Sequence, residues 1–230
     1  MKSEQTKGIV LSRTDYGEAD RIVTVITPDQ GKRRLMVKGV RRMKSKMAGG
    51  IELFSVSELS YIKGKGDIDT MISARLSKYY SNIVNDIDRV QLGYELIKQL
   101  NRVTEDNPEE EYFILLESSF KALDNSEIET ELIQTWFKAQ LLRLAGYTPN
   151  LQTDCDGNRL EAGGKYNFDY ESVAFLQVET GKFGKNEIKC MRVLFTDASP
   201  KLLSQIVQLT DTMPAVDTLI RQLFTQNLQS

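Results

Sequence analysis

A run of cationic side chains is the feature of this sequence that most directly suggests chemistry. Residues 32–46, KRRLMVKGVRRMKSK, contain eight lysines and arginines and no acidic residue, in a chain of 230 residues with a formal net charge of −2. Ammonium and guanidinium groups bind phosphate oxygens and release the counterions that surround a nucleic acid. The run therefore favours a salt-dependent nucleic-acid surface, while a solvated face, an acidic protein partner and an anionic lipid remain alternatives.

The candidate phosphate contacts lie on a predicted strand and on the loop after it. They are Lys32, Arg33, Arg34, Lys38, Arg41, Arg42, Lys44 and Lys46. Side chains alternate between the two faces of a strand. We therefore expect Arg33 to share a face with Leu35. The other face then carries Arg34, Met36 and Lys38.

Aromatic side chains near the run extend the prediction from phosphates to bases. An exposed ring that stacks on a base contributes roughly 1 to 3 kcal/mol. Tyr16, in a neighbouring turn, is the stacking candidate, whereas we expect Phe54 to lie in the core of a small β domain. No element that would read base edges is evident, so we expect little sequence preference.

The charge of the chain is unevenly distributed. Residues 1–78 hold 16 of the 30 Lys and Arg residues and 9 of the 32 Asp and Glu residues, a balance of +7. Residues 79–230 hold the remaining 14 and 23, a balance of −9. A basic segment joined to an acidic one indicates that the basic segment binds a polyanion.

Catalysis is the weaker interpretation of this composition. The sequence contains no histidine, which is the commonest general base and the usual partner of a Ser or Cys nucleophile. It also lacks a glycine-rich phosphate loop and a paired-acid motif. We therefore expect no enzymatic activity, no catalytic residue and no small-molecule substrate.

The cysteines do not predict a metal site. Cys155 and Cys190 are too few for a disulfide scaffold and too far apart for a zinc knuckle. A structural zinc ion takes four Cys or His ligands, so we expect no metal and no other cofactor. Cys190 is expected to be a small buried residue of a helix. Because no apolar run approaches the ~18 residues of a membrane span, we expect a cytoplasmic protein without membrane contacts.

The first third of the chain is predicted to consist of β-strands. Five segments rich in Val, Ile, Thr and aromatic residues are separated by turn residues such as PDQG and GKGD. This spacing is typical of a small barrel or sandwich. The segments are 7–13, 20–28, 32–40, 52–63 and 67–76.

From residue 79 the hydrophobic period changes to that of helices. The first helix is expected to bury Ile83, Ile87, Val90, Tyr94, Ile97 and Leu100. Asn107 and Pro108 are expected to open a second helix, and a capping box beginning at Ser126 a third that runs to Gly146. Residues 148–184 read as an irregular insert with one hairpin, after which helices return, one of them with Ser199 as cap and Pro200 at its first position.

Several short motifs resemble those of the RecO family of bacterial DNA repair proteins. Members of that family open with an apolar strand, a DYGE turn and a KG.RR..S segment ahead of a strand that contains phenylalanine. The matching residues here are Asp15, Tyr16, Gly17, Glu18, Gly31, Lys38, Gly39, Arg41, Arg42, Ser45 and Phe54. A second motif, LLxxxGYxPxL, is similar through Leu141, Leu142, Gly146, Tyr147, Pro149 and Leu151.

The resemblance implies an α+β protein of two domains. Residues 1–78 would form a five-stranded OB-fold β-barrel that binds DNA, and residues 79–230 an α-helical domain carrying a degenerate zinc-ribbon-like insert at about 148–184. Many relatives have two CxxC pairs in that insert, whereas this chain has one cysteine there.

The resemblance also implies an activity and partners. The protein would be a recombination mediator that binds single- and double-stranded DNA, anneals complementary strands and helps to load the recombinase onto coated DNA, in the cytoplasm at the nucleoid. Its partners would be RecR and the acidic C-terminal tail of single-stranded DNA-binding protein. On the helical domain, Lys138, Arg143 and Arg192 are the candidates for receiving that tail. An OB-type RNA-binding factor and an adaptor that docks acidic proteins are the alternatives.

Overall fold

The computed structural model describes residues 3–104, 109–206 and 209–228. The chain divides into two compact units, residues 1–126 and 127–230. The predicted helix start at Asn107 and Pro108 lies outside the described residues.

The described part of the first unit contains five strands and two α-helices. All five predicted strands are present, and the helices follow them. The elements are β1 (Ser3–Tyr16), β2 (Asp20–Thr27), β3 (Gly31–Val37), β4 (Ser55–Ile62), β5 (Ile68–Tyr79), α1 (Ile87–Val103) and α2 (Glu110–Leu123). Short 3₁₀ turns lie at Ala48–Ile51 and Ile83–Asn85.

The strands form a closed barrel in the order β1-β2-β3-β5-β4. The pairs are antiparallel except β3 with β5, which are parallel. β1 closes the barrel because its residues 3–8 pair with β4 and its residues 9–16 pair with β2. Alternating residues fill the interior, among them Val23, Val25, Leu35 and Tyr61.

Helices cover one end of the outer surface of the barrel. Ile9 and Ile26 are directly opposite each other in the β1–β2 ladder and point away from the interior, yet both are completely buried. Their burial follows from the packing of α1 against β1 and of α2 against β2. The compact unit therefore extends to residue 126, beyond the change from strands to helices where the sequence predicts a domain boundary.

An aromatic cluster joins the barrel to these helices. Phe54, buried as expected, packs edge-on against Tyr94 and Phe120, with ring centroids 5.3 and 5.6 Å away. Gly93 permits this approach, because a Cβ atom there would lie 2.6 Å from the Phe54 ring. The loop before β4 is thereby fixed to α1.

The predicted buried face of the first helix was wrong in part. Ile87 and Tyr94 are 68% and 50% exposed, whereas Leu92 and Leu96 are buried. The helix begins only at Ile87, because the Asp86 carboxylate accepts hydrogen bonds from the backbone N–H groups of the first turn and caps it there.

The described part of the second unit is mainly helical, with one hairpin. Its elements are α3 (Thr130–Leu144), β6 (Lys165–Asp169), β7 (Ala174–Val178), α4 (Lys185–Leu194), α5 (Pro200–Leu203) and α6 (Leu209–Leu228). The capping box predicted from Ser126 was wrong, since α3 begins four residues later and Glu129, at its cap position, makes no capping hydrogen bond through its side chain. Ser199 and Pro200 occupy the predicted cap and first helical position of α5.

The hairpin predicted within residues 148–184 is confirmed as the antiparallel pair β6–β7. Rings of Tyr166, Phe168, Phe175 and Phe183 pack on one another with centroids 5.2 to 6.2 Å apart. The Tyr166 hydroxyl accepts a hydrogen bond from the backbone N–H of Glu161. Aromatic packing therefore supplies the core of this insert.

Candidate nucleic-acid interface

The β1–β2 turn and the loop after β3 are joined at one end of the barrel. The backbone N–H of Arg41 donates to the carbonyl of Ala19 at 2.9 Å. The Gly39 N–H donates to the Asp20 carboxylate at 2.7 Å. Gly39 has a φ of +64°, a conformation that glycine adopts without the steric cost of a Cβ. These bonds hold the basic loop, residues 38–47, against the β1–β2 turn, which follows Tyr16 at the end of β1.

The Asp15 carboxylate forms ion pairs with two arginines at this junction. Its carboxylate accepts a 2.7 Å hydrogen bond from Arg21 and lies 3.5 Å from the guanidinium Nε of Arg41. The hydrogen bond from Arg21 lowers the pKa of Asp15, and the positive charge of Arg41 adds to the effect. Asp15 is thus ionised at neutral pH and orients two arginines.

The outer faces of β1, β2 and β3 continue from the loop. Ser12, Thr24 and Arg34 are aligned across the three strands, and Thr14, Ile22 and Met36 form the next row. Arg34 and Lys38 are exposed on this face, and Tyr16, at the end of β1, is 56% exposed. The strand alternation expected for Arg34, Met36 and Lys38 is confirmed, because Leu35 and Val37 are buried in the barrel.

We call the resulting set of side chains the basic surface. It comprises Arg34, Lys38, Arg41, Arg42, Lys44 and Lys46, with Tyr16 beside them. Within the described parts of the chain, no carboxylate lies within ion-pair distance of these cations except Asp15 beside Arg41. Five cations thus present their charge to solvent. Arg41, which is held by Asp15, and the exposed ring of Tyr16 lie beside them.

The structure places the remaining two cations of the run elsewhere. The Lys32 ammonium donates to the carbonyls of Asn101 and Thr104 at 2.9 and 2.8 Å, so it caps the C-terminal end of α1. Arg33 shares the inner side of β3 with Leu35, as expected, and its Nε is buried. Its charge acts on Tyr61, whose pKa is nonetheless raised by burial. These two side chains are not part of the basic surface.

Sequence reasoning missed the acids that organise the site. Asp15 and Asp20 appear in the sequence as parts of a turn motif, DYGEAD, without an assigned role. Their positions in the sequence were the available signal. Asp15 and Asp20 lie on either side of a tight turn, so their side chains can reach Arg21 on the next strand and the KG.RR segment after the third strand. Pairing of the turn with the loop depends on tertiary structure and cannot be read from local spacing.

The three candidate partner residues of the second unit all contact other residues of that unit. Lys138 is 6% exposed, with its ammonium 6.0 Å from the centre of the Phe224 ring. Arg143 pairs with Asp197 at 3.1 Å, and Arg192 donates to the carbonyl of Leu151 at 2.8 Å. The structure therefore does not bring these three cations together as a free basic patch.

The thiols have different surroundings. Cys190 is buried, as expected, and burial raises its pKa to about 11. Cys155 is exposed, and its Sγ donates to the carbonyl of Phe175 at 3.1 Å. The neighbouring Asp154 carboxylate accepts the N–H groups of Asp156 and Asn158, which closes the turn. In the parts of the chain that the structure describes, no group of three or more Cys, Asp and Glu residues is arranged to hold a metal ion.

Comparison with protein families identifies two matching regions. The family described as Recombination protein O N terminal matches residues 1–80, and Recombination protein O C terminal matches residues 86–213. The first match spans the barrel and the second spans most of the helical part. No helix in the described ranges is long and apolar enough to cross a lipid bilayer.

Several curated proteins with similar sequences are named DNA repair protein RecO. A protein of Dehalococcoides mccartyi is 35% identical over 151 residues, which cover 64% of this chain and 58% of that protein. One from Desulfatibacillum aliphaticivorans is 32% identical over 149 residues, with coverages of 64% and 58%. One from Rubrobacter xylanophilus is 29% identical over 164 residues, with coverages of 70% and 66%. The match thus spans a little over half the length of the first two relatives.

Proposed function

This chain belongs to the RecO family, and from that premise we propose that it is a DNA-binding recombination mediator in DNA repair. In this proposal the basic surface binds single- and double-stranded DNA. The protein anneals complementary strands and assists loading of a recombinase onto coated single-stranded DNA. No catalytic step is required of it.

The observation that carries the proposal is the set of cations around one end of the barrel. Five of them have no ion-pair partner among the described residues, and a polyanion that contacts them releases counterions into solution. Two strands attracted to such a surface repel each other less, because the protein's charge offsets that of their phosphates. Annealing then needs proximity and charge neutralisation alone.

The barrel supports assignment to the OB type. The OB fold is a small barrel of five strands, and this barrel also has five, in the order β1-β2-β3-β5-β4 and closed through β1 and β4. OB-fold proteins bind oligonucleotides on the faces of strands 2 and 3 and on adjacent loops. Arg34 lies on β3, and the basic loop, which follows β3, is hydrogen-bonded to the β1–β2 turn, so the proposed DNA site adjoins the strand face and one of the loops that OB folds use. The functional boundary between barrel and helical domain is accordingly proposed near residue 78.

The partners in the proposal are RecR and the acidic C-terminal tail of single-stranded DNA-binding protein. Both come from the family resemblance. A protein that binds DNA in this way resides in the cytoplasm, at the nucleoid. A recruited mediator would need DNA contacts and a partner contact at once, so the two functions are expected on different surfaces.

Fluorescence anisotropy with a labelled single-stranded oligonucleotide over a salt series tests the DNA site. If about five phosphates are engaged, log K falls with log salt with a slope of about −3.5. Replacing Arg42, Lys44 and Lys46 by Ala removes three contacts and reduces the slope by about 2. An unchanged slope would refute the site.

A matched control removes the same amount of charge from another part of the barrel. Lys7, Arg75 and Lys78 are exposed on β1 and β5 and do not belong to the basic surface. Their replacement by Ala should leave most of the slope intact, whereas an equal loss in both variants would mean that net charge alone attracts the DNA. Tighter binding of RNA than of DNA of equal length would favour an RNA-binding factor, and no binding of either would favour an adaptor.

Strand annealing on DNA that is coated with single-stranded DNA-binding protein tests the mediator role. We expect faster annealing with the wild-type chain than with the variant lacking Arg42, Lys44 and Lys46. Omitting the acidic tail of the coating protein should slow the reaction if that tail is the recruiting partner. Equal rates with and without the chain would refute the mediator role.

A further inference from the structure

A cavity of about 180 Å³ opens in the second unit between the start of α3, residues 203–206 at the end of α5, and Met213 and Pro214 of α6. Its apolar floor contains the buried side chains of Leu132, Leu203 and Met213. Ile206, which is 41% exposed, extends this floor to the surface. The exposed rim is acidic and consists of Glu127, Glu129 and Glu131.

The size and charge of this cavity restrict what binds there. Small-molecule sites usually measure roughly 300 to 1,000 Å³, so this cavity suits one anchoring side chain better than a cofactor. The apolar floor favours an apolar anchor, and the carboxylates of Glu129 and Glu131 favour cations beside it. An acidic tail would be repelled by the rim.

A segment with these properties is present in the same chain. Met43 is fully exposed in the basic loop, and Arg42 and Lys44 flank it. Methionine is unbranched and adapts to irregular apolar sites. The bond from Arg41 N–H to Ala19 and the turn from Arg42 to Ser45 hold the loop in place, which reduces the entropy lost on binding.

We propose that the acid-rimmed cavity of one molecule binds the loop around Met43 of a second copy. Met43 would fill the apolar floor, with Arg42 and Lys44 against the glutamates. The two surfaces are different, so the contact is heterologous, and it joins molecules head to tail without being limited to pairs. A contact made by one apolar side chain and two flanking cations is small, so we expect it to be weak and sensitive to salt.

DNA would control this association. The cations that meet the acidic rim also belong to the basic surface, so a bound strand excludes the second copy. This consequence rests on the proposed function, whereas the self-association itself does not. Free protein would thus associate through the same loop that it uses on DNA.

Sedimentation velocity over a range of protein concentrations and salt tests the association. We expect the sedimentation coefficient to rise with concentration at low salt and to stop rising at high salt. The double variant E129Q/E131Q and the variant M43S should each weaken the association roughly tenfold. A coefficient independent of concentration at low salt would overturn the proposal.

The control variant E171Q/E179Q removes two exposed glutamates elsewhere in the second unit. It should associate like the wild type, and equal weakening would overturn the assignment of the cavity. Glu129 and Glu131 also lie at the positive end of α3, so the unfolding midpoint of each variant is measured to confirm that it is folded.

A labelled peptide with the sequence of residues 38–47, KGVRRMKSKM, tests the site without DNA. It should bind the wild-type chain more tightly than E129Q/E131Q, and more tightly than the same peptide with serine in place of methionine. Tighter binding of an acidic, apolar peptide at this cavity would overturn the proposal.

Addition of an oligonucleotide separates the inference from the proposed function. Dissolution of the associated species supports both. Association that persists beside intact DNA binding overturns the shared use of the loop. If the chain associates through the cavity but binds no DNA, the self-association stands while the proposed function fails.

Discussion

Two lysines of the basic run differ in role because of where α1 lies. Lys32 and Lys38 are both on the outer side of β3, but α1 covers only the end of the barrel at Lys32. The Lys32 ammonium is held by two helix carbonyls, while Lys38 faces solvent. A cation's position in the sequence therefore does not determine whether it contacts a ligand.

Replacing Lys32 by Met should separate stability from DNA binding. The substitution keeps the aliphatic stem but removes two charge-assisted hydrogen bonds to the end of α1, which should lower the free energy of unfolding by about 1 to 3 kcal/mol. Urea unfolding measures this loss, and anisotropy should find nearly wild-type DNA affinity. A loss of affinity as large as that of Arg42→Ala would place Lys32 in the binding site.

The two thiols should react at very different rates. Burial raises the pKa of Cys190 to about 11 from its ordinary value of 9.0, so at pH 8 the folded protein offers almost no thiolate there, whereas Cys155 is exposed. We expect an aromatic disulfide reagent to titrate one thiol in the folded chain and two in urea. Cys155→Ser should abolish the fast reaction, and Cys190→Ser should leave it unchanged.

The raised pKa of Cys190 also makes the stability of the folded protein depend on pH. The folded pKa of Cys190 lies above the unfolded value, so the contribution of the neutral thiol is fully present below about pH 9 and is lost as the pH rises toward 11. Comparison of urea midpoints for wild type and Cys190→Ser at pH 8 and pH 10.5 measures this. The difference between the two proteins should shrink at the higher pH.

At the scale of elements, the hairpin insert should be stable without metal. Phe175 is completely buried among the rings of the insert, and its replacement by Ala should cost about 3 to 5 kcal/mol. Leu176→Ala on the same strand is the control, since Leu176 is 44% exposed. A chelator should leave the thermal midpoint of the wild type unchanged, and a large decrease would reveal a metal.

Elements were predictable from sequence where a local signal dominates. Alternation and turn residues located all five strands of the barrel, and Pro200 located the start of α5. The face of α1 was misjudged because Ile87 and Tyr94 fit a helical stripe that begins before the true cap. Asp86, the residue that sets the start of the helix, is one of several acids in that segment, and only the structure shows which one caps.

At the scale of the whole molecule, the barrel should depend on the helices that follow it. A fragment of residues 1–82 would expose Ile9, Ile26 and Phe54, which α1 and α2 cover in the structure. We expect a fragment of residues 1–126 to give a dispersed NMR spectrum and the shorter fragment to aggregate or unfold. A well-dispersed spectrum of the shorter fragment would show that the barrel folds alone.

The sequence predicted that the candidate site is basic, but it did not predict which of the eight cations belong to it. Six of the eight cations of the run belong to the basic surface, because they lie on one strand face and one loop. Arg33 lies outside it because strand alternation places its side chain on the inner side of β3 with Leu35. Lys32 lies outside it because its ammonium caps the distant C-terminal end of α1. Contacts of that range carry no periodic signal, so composition located the surface and only the fold defined it.

The way β1 is shared has a consequence for synthesis of the protein. Its second half pairs with β2, which follows it closely in the sequence. Its first half pairs with β4, and β3 pairs with β5, so these two pairings form only after the later strands have been synthesised. A nascent chain leaving the ribosome therefore carries two unsatisfied sheet margins until about residue 79 has emerged. During that interval the growing polypeptide is most exposed to wrong pairing with a neighbour, and slower translation of the stretch between β3 and β5 would prolong the risk.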